Sequence, residues 1–146
     1  MKIAIASDHA GFDLKECLKN YLEERFQVVD FGTHNCISVD YPVVSIETAE
    51  AVAAKKCDSG IIICGTGIGS SIAANKVKGI RAALCHCTEF AIMSRKHNNA
   101  NILVLPGRFV ANHYAKEIVN VWLETEFEGN RHQRRIEQIS QYEKEH

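Results

Sequence analysis

Residues 58–76 read DSGIIICGTGIGSSIAANK, and this stretch decides the fold. Ile61, Ile62 and Ile63 form a short β-branched run of the kind buried on both faces of a parallel sheet. Cys64 stands where such a strand ends, and Gly65, Gly67 and Gly69 leave almost no side-chain bulk beyond it. Ser70 or Ser71 is then placed to cap a helix running through Ile72, Ala73 and Ala74. A strand, a glycine turn and a helix N-terminus aim several backbone N–H groups at one point, which makes a site for an anion. Amide dipoles directed at a thiol favour its thiolate. A buried strand-end cysteine beside a tight turn accounts for the same letters, so the residues alone leave both readings open.

Known glycine loops fail here on spacing. A dinucleotide fingerprint needs G-x-G-x-x-G, and the third glycine comes one residue early at Gly69. A phosphate-binding Walker loop needs a lysine that Gly69-Ser70-Ser71 does not supply. A cysteine phosphatase loop resembles C-x-x-x-x-x-R, and position 70 is serine. What remains is an oxyanion cradle with a cysteine able to serve as base or nucleophile.

Outward from this loop, strand and helix patterns alternate. Lys2 to Ala6 reads as a buried strand ending in Ser7-Asp8-His9-Ala10-Gly11. Leu14, Leu18, Tyr21, Leu22 and Phe26 share one helical face. Val28 to Phe31 reads as a second strand. After a polar loop, Pro42 suits the first residue of a helix that ends near Cys57. Ile80 to Cys85 is a fourth strand, Thr88 to His97 a helix, Ile102 to Leu105 a fifth strand, and Ala111 to Glu124 a helix. About five strands alternating with helices predict a parallel sheet covered on both faces, with ligands at the carboxyl ends of its strands. Asp8, His9, Cys64 to Gly69 and Arg108 follow strands and are the candidates.

The last segment differs in character. Arg131 and Arg135 share a helical face at i,i+4, with Arg134 beside them, while Ile136, Ile139 and Tyr142 form an apolar stripe. A solvated amphipathic helix explains this pattern, and guanidinium forks also suit a phosphate dianion.

The chain has 146 residues, 46% hydrophobic and 24% charged, with a formal net charge of -1. It is expected to form one domain over residues 1–146, with 128–146 as a tail helix. The charge gives no sign of nucleic-acid or membrane partners. Ser7, Asp8 and His9 break the only apolar run near the N-terminus, which fits neither a signal peptide nor a membrane span. The 6 cysteines form no C-x-x-C pair. That usage fits free thiols in a reduced cytoplasmic protein better than disulfides or a zinc module.

Several motifs together resemble one family. SDHAG (7–11), DYP (40–42), ICGTGIG (63–69), IAANK (72–76), GIRAA (79–83), SRKHNNAN (94–101) and GNRHQRR (129–135) are similar to the B-type ribose-5-phosphate isomerases. That family includes the galactose-6-phosphate and allose-6-phosphate isomerases. The resemblance implies a three-layer α/β/α Rossmann-like fold whose C-terminal helix takes part in dimerisation. It implies interconversion of ribose 5-phosphate and ribulose 5-phosphate, in the non-oxidative pentose phosphate pathway, with no metal or cofactor. Cys64 then matches the base that moves a proton between C1 and C2, and Thr66 a hydroxyl beside it. The N–H groups of Gly65, Gly67, Ile68, Gly69 and Ser70 match the enediolate cradle. His97 matches the group that opens the sugar ring, Asp8 lies near sugar hydroxyls, and Tyr41 and Asn98 shape the pocket. His9, Arg108, Arg131 and Arg135 match phosphate contacts, the last two supplied by a neighbouring subunit. A homodimer or a dimer of dimers follows, with sites at the interface. Some relatives carry Glu where Ser70 stands and lack the cysteine, so the pattern here favours the thiolate route. A six-carbon sugar phosphate and a non-catalytic sugar-phosphate sensor are the rival readings.

Overall fold

The computed structural model describes residues Met1–His146. Its strands are β1 (Lys2–Ser7), β2 (Gln27–Asp30), β3 (Ser59–Cys64), β4 (Ala82–Leu84) and β5 (Ile102–Pro106). The α-helices are α1 (Phe12–Glu23), α2 (Tyr41–Ala53), α3 (Ile68–Ala74), α4 (Thr88–Asn98), α5 (Asn112–Glu124) and α6 (Arg131–Glu145), with a 3-10 turn at His9–Gly11. All strand pairings are parallel, in the order β2-β1-β3-β5-β4.

Alternation along the strands separates two cores. Ile3, Ile5, Ile61, Ile63, Leu103 and Leu105 point to one face, where Leu14, Leu18 and Leu22 of α1 and Ile118, Val119 and Trp122 of α5 cover them. Ala4, Ile62, Ile102 and Val104 point to the other, under Ala49 and Val52 of α2 and Ala74 of α3. Both faces are sealed, which is why these strands read as continuous apolar runs rather than alternating ones. Each fully buried Ile or Leu contributes about 1.5–3 kcal/mol relative to exposure.

Several boundaries differ from the sequence reading. The helix after the glycine loop begins at Ile68 behind Gly67, whose left-handed φ of 79° makes the turn. Neither Ser70 nor Ser71 caps it. Ser70 lies inside the helix, 1% exposed, and its Oγ accepts a hydrogen bond from Ser45 Oγ at 3.0 Å. The glycine completes the turn without a hydroxyl, so the serines were free to be used elsewhere. β4 is confined to Ala82–Leu84, because only these residues pair with β5. Pro42 is the second residue of α2 rather than the first, α2 stops at Ala53, and α1 stops before Phe26.

No helix of the chain is long and apolar enough to cross a membrane.

Candidate active site

The strand order reverses direction between β1 and β3, and the loops following those two strands open there. In open parallel sheets this is where ligands bind. Asp8 and His9 leave β1, while Cys64 ends β3 directly beside Pro106, the last residue of β5.

The glycine loop is held from both sides. Gly107 N–H donates to Cys64 O at 2.8 Å and Arg108 N–H to Gly65 O at 3.1 Å, so the β5 turn is stitched to the β3 turn. Pro106 does not disturb this stitching, since its missing N–H is not one of the donors. A Cβ built on Gly65 would lie 3.4 Å from Arg108 Nη1. The guanidinium of Arg108 therefore lies over the loop. A Cβ on Gly67 would sit 2.4 Å from Leu84 Cδ1, and one on Gly69 2.4 Å from Tyr41 Cζ. These positions have no room for a side chain.

The N–H groups of Gly65, Thr66, Gly67, Gly69 and Ser70 have no acceptor within the chain, while that of Ile68 donates to Thr66 Oγ1 at 3.2 Å. Unpaired donors at a loop and the first turn of a helix are the elements of an anion cradle. Cys64 beside them is 4% exposed, with exposed Thr66 and Arg108 and partly exposed Tyr41 around it.

Asp8 is buried, and its Oδ1 accepts from Gly11 N–H at 3.0 Å. His9 Nδ1 accepts from Val39 N–H at 3.2 Å, which leaves the proton of a neutral ring on Nε2. Cys64, Thr66, Asp8, His9, Tyr41, Arg108 and the loop from Gly65 to Ser70 thus share one end of the sheet.

His97 and Asn98 do not join them. α4 follows β4 and runs back against the strand direction, so its last turn lies at the amino ends of the strands. There Asn101 N–H donates to Arg81 O at 3.1 Å and Gly60 N–H to Asn101 O at 3.0 Å. The length of β3, five steps of about 3.3 Å or roughly 17 Å, separates the two ends. The sequence reading assigned only Arg131 and Arg135 to a neighbouring subunit; His97 and Asn98 lie at the same end of the sheet as the start of α6, where the His97 ring stacks on His132. Arg131 and Arg135 are exposed on α6 and form no ion pair in the chain.

Three residues at that far end were not singled out by their sequence. Arg95 anchors the last turn of α4, its Nη1 donating to Asn99 Oδ1 at 2.9 Å and Ala100 O at 2.6 Å, and its Nε to Thr125 O at 3.2 Å. The His132 ring stacks on that of His97 with centroids 4.2 Å apart and 14° between planes. His132 Nε2 lies 3.6 Å from Glu128 Oε2. Burial pushes His132 below the usual histidine range, and Arg131 and His97 push the same way against Glu128. The i,i+4 spacing of Glu128 and His132 was the available signal. Ser45, the partner of Ser70, carried none.

Comparison with known proteins agrees over the whole chain. The family described as Ribose/Galactose Isomerase matches residues 3–139. Ribose-5-phosphate isomerase B of Escherichia coli is 47% identical over 143 residues, covering 97% of this chain and 96% of that protein. The structure of Clostridium thermocellum ribose-5-phosphate isomerase B superposes with a TM-score of 0.98 at 53% identity, covering 99% of both chains. Ribose-5-phosphate isomerase B from Mycoplasma genitalium, solved with bound ribulose-5-phosphate, gives a TM-score of 0.95 at 45% identity, covering 99% of this chain and 97% of that one. On the matched motifs, the shared fold and the full-length identity, the chain belongs to the ribose/galactose isomerase family as a sugar-phosphate isomerase of the B type.

Proposed function

We propose that this isomerase interconverts D-ribose 5-phosphate and D-ribulose 5-phosphate with Cys64 as the base. The observation that carries the reading is a thiol ending β3 beside a run of unpartnered N–H groups at the switch point of the sheet. The Cys64 thiolate takes the C2 proton of the open-chain aldose, leaving a 1,2-enediolate with its charge on O1. The amide cradle from Gly65 to Ser70 receives that charge. The O2 proton crosses to O1 past the Thr66 hydroxyl, and the thiol returns its proton to C1 to give the ketose. In acyl transfer one such donor contributes about 3–4 kcal/mol, and a general base adds roughly 10²–10⁴-fold. Asp8 orients sugar hydroxyls, Tyr41 walls the pocket, and His9 and Arg108 bind phosphate. The five-carbon preference is supported by the ribulose-5-phosphate bound to the Mycoplasma genitalium relative.

The missing groups come from a second copy. A two-fold axis perpendicular to the strands sets the partner antiparallel, so its amino-end residues approach the carboxyl end carrying Cys64. Ile68, Ile72, Phe90 and Met93 are large apolar side chains left exposed on α3 and α4, the helices flanking edge strand β4. A groove of about 300 Å³ lined by Ala83, Leu84, Cys85, Phe90 and Met93 runs along β4 and α4. In this arrangement His97 of the partner moves the anomeric hydroxyl proton to the ring oxygen as the C1–O4 bond opens. Asn98 completes the pocket wall, and Arg131 and Arg135 clamp the phosphate.

Conversion of ribose 5-phosphate by the wild type and by Cys64→Ala tests the assignment, with allose and galactose 6-phosphates alongside. We expect a loss of at least about 10²-fold in kcat for Cys64→Ala with an unchanged circular dichroism spectrum. Retained turnover removes Cys64 as the base, and faster conversion of a six-carbon substrate by the wild type overturns the ribose assignment.

A further inference from the structure

The end of the sheet opposite Cys64 holds a second constellation of chemically active groups. One ligand-capable atom from each of His97, Glu128 and His132 lies within 4.8 Å of the other two. The residues come from different parts of the chain: His97 from the last turn of α4, Glu128 from the segment after α5, and His132 from the first turn of α6. That segment is anchored to α4, because Glu128 N–H donates to Lys96 O at 3.1 Å. His132 is 5% exposed, and its Nε2 is a buried polar atom with no hydrogen-bond partner. A buried ring nitrogen left unpaired carries an uncompensated desolvation penalty. Such an atom calls for a ligand.

We propose that His97, Glu128 and His132 form a binding site for a late first-row divalent transition ion of the zinc class, and that its occupation inhibits the enzyme. Two imidazoles and a carboxylate are a known zinc ligand set that leaves a fourth position open. The nitrogen donors exclude magnesium and calcium, which take oxygen ligands, and favour zinc, copper and nickel. Tetrahedral geometry at zinc–ligand lengths near 2.0–2.1 Å puts ligand atoms roughly 3.3 Å apart. His132 Nε2 and Glu128 Oε2 are already 3.6 Å apart. Closing the third edge requires the stacked His97 ring to turn out of its 14° alignment with His132. His97 is only half-buried and Glu128 is exposed, so both have freedom to move toward the buried nitrogen. None of the cysteines belongs to the cluster.

Two consequences follow. The ion ties α4 to the segment leading into α6, so it raises the thermal midpoint. It also occupies the nitrogen with which His97 moves a proton, so it inhibits; this second effect rests on the ring-opening role proposed above. Inhibition and binding therefore have separate readouts.

The test uses the intact enzyme and Glu128→Gln, an exposed substitution outside the catalytic and substrate-binding groups. Cobalt absorption reports coordination, with zinc-dependent thermal shift and zinc inhibition of ribose 5-phosphate conversion beside it. The expected result is one cobalt per chain without a thiolate charge-transfer band, and the same spectrum in Cys64→Ala. Glu128→Gln should keep its metal-free activity and need at least about tenfold more zinc for both the thermal shift and the inhibition. Zinc effects identical in Glu128→Gln and wild type, or a thiolate band that disappears in Cys64→Ala, overturn the site. A metal-dependent thermal shift that Glu128→Gln weakens, without inhibition, keeps the metal site and overturns the role of His97.

Discussion

The ring of Tyr41 lies across the Cα of Gly69, so close that a Cβ there would meet the ring carbons at 2.4 and 2.6 Å and the hydroxyl at 2.7 Å. This contact joins the first turn of α2 to the first turn of α3, where the free N–H groups are. The buried Ser45–Ser70 hydrogen bond joins the same helices one layer deeper. Gly69→Ala forces the ring off the loop. We expect kcat/KM for ribose 5-phosphate to fall by at least about tenfold, with a thermal midpoint within a few degrees of wild type because Tyr41 is 39% exposed and has room to swing away. A large fall in the midpoint would show that the ring supports the fold rather than the site.

Subunit complementation separates the two halves of the site. Cys64→Ala and His97→Ala are each expected to be inactive. In a mixed dimer one site inherits both defects and the other inherits neither. Unfolding and refolding the two in equal amounts should restore about one quarter of wild-type activity, since half the dimers are mixed and each has one intact site. No recovery would place His97 and Cys64 in the same chain's site or remove His97 from the reaction.

Arg131→Ala and Arg135→Ala should each raise KM for ribose 5-phosphate by about tenfold or more, with a smaller effect on kcat. Steady-state kinetics read the split directly. Because both side chains are exposed and unpaired within the chain, thermal stability should hardly change. Truncation after Glu128 should be more severe, since it removes the buried side chains of His132 and Ile136 along with the arginines.

Acid sensitivity should centre on Asp30. Burial alone would raise its carboxyl. Hydrogen bonds from Lys15 Nζ at 2.6 Å, Gly32 N–H at 2.8 Å and Lys19 Nζ at 3.2 Å outweigh this and hold it below the usual carboxylate range. A carboxyl lowered by folding stabilises the native state fully above its unfolded value of about 3.9, and that contribution is lost as pH falls through the lower folded value. Urea midpoints measured between pH 7 and pH 3 should fall below about pH 4 in the wild type. Asp30→Asn should lose that part of the dependence and be destabilised at pH 7 by about 1–3 kcal/mol, because the fully buried Lys15 loses its shorter carboxylate contact at 2.6 Å and keeps only Glu16 at 3.1 Å.

Thiol labelling should follow exposure. Cys36 is exposed, whereas burial pushes the Cys85 thiol up to about 11. Iodoacetamide at pH 8 should modify Cys36 rapidly and Cys85 only when the protein unfolds; rapid labelling of native Cys85 would contradict the packing under α4.

The strands were legible because both faces of the sheet are covered, which turned Ile61–Ile63 and Ile102–Leu105 into unbroken apolar runs. The placement of Cys64 at a strand end followed from the same runs. Strand order was not legible, since the insertion of β5 between β3 and β4 depends on crossovers that no local pattern records. The start of α3 was misread because capping hydroxyls are the usual signal and here a left-handed glycine does that work. The far-end position of His97 was legible in principle: a helix between parallel strands must run back, so its final turn belongs to the opposite edge. The stacking of His132 on His97 was not, because it depends on how α6 docks.

The distance between the Cys64 edge and the His97 edge also bears on how the enzyme behaves when scarce. If the half-sites are exchanged between copies as proposed, a solitary polypeptide, whether newly made or highly diluted, has base and cradle but no ring-opening group. Specific activity then ceases to be a constant of the molecule and becomes a function of how much of it is present, vanishing where encounters between copies grow rare.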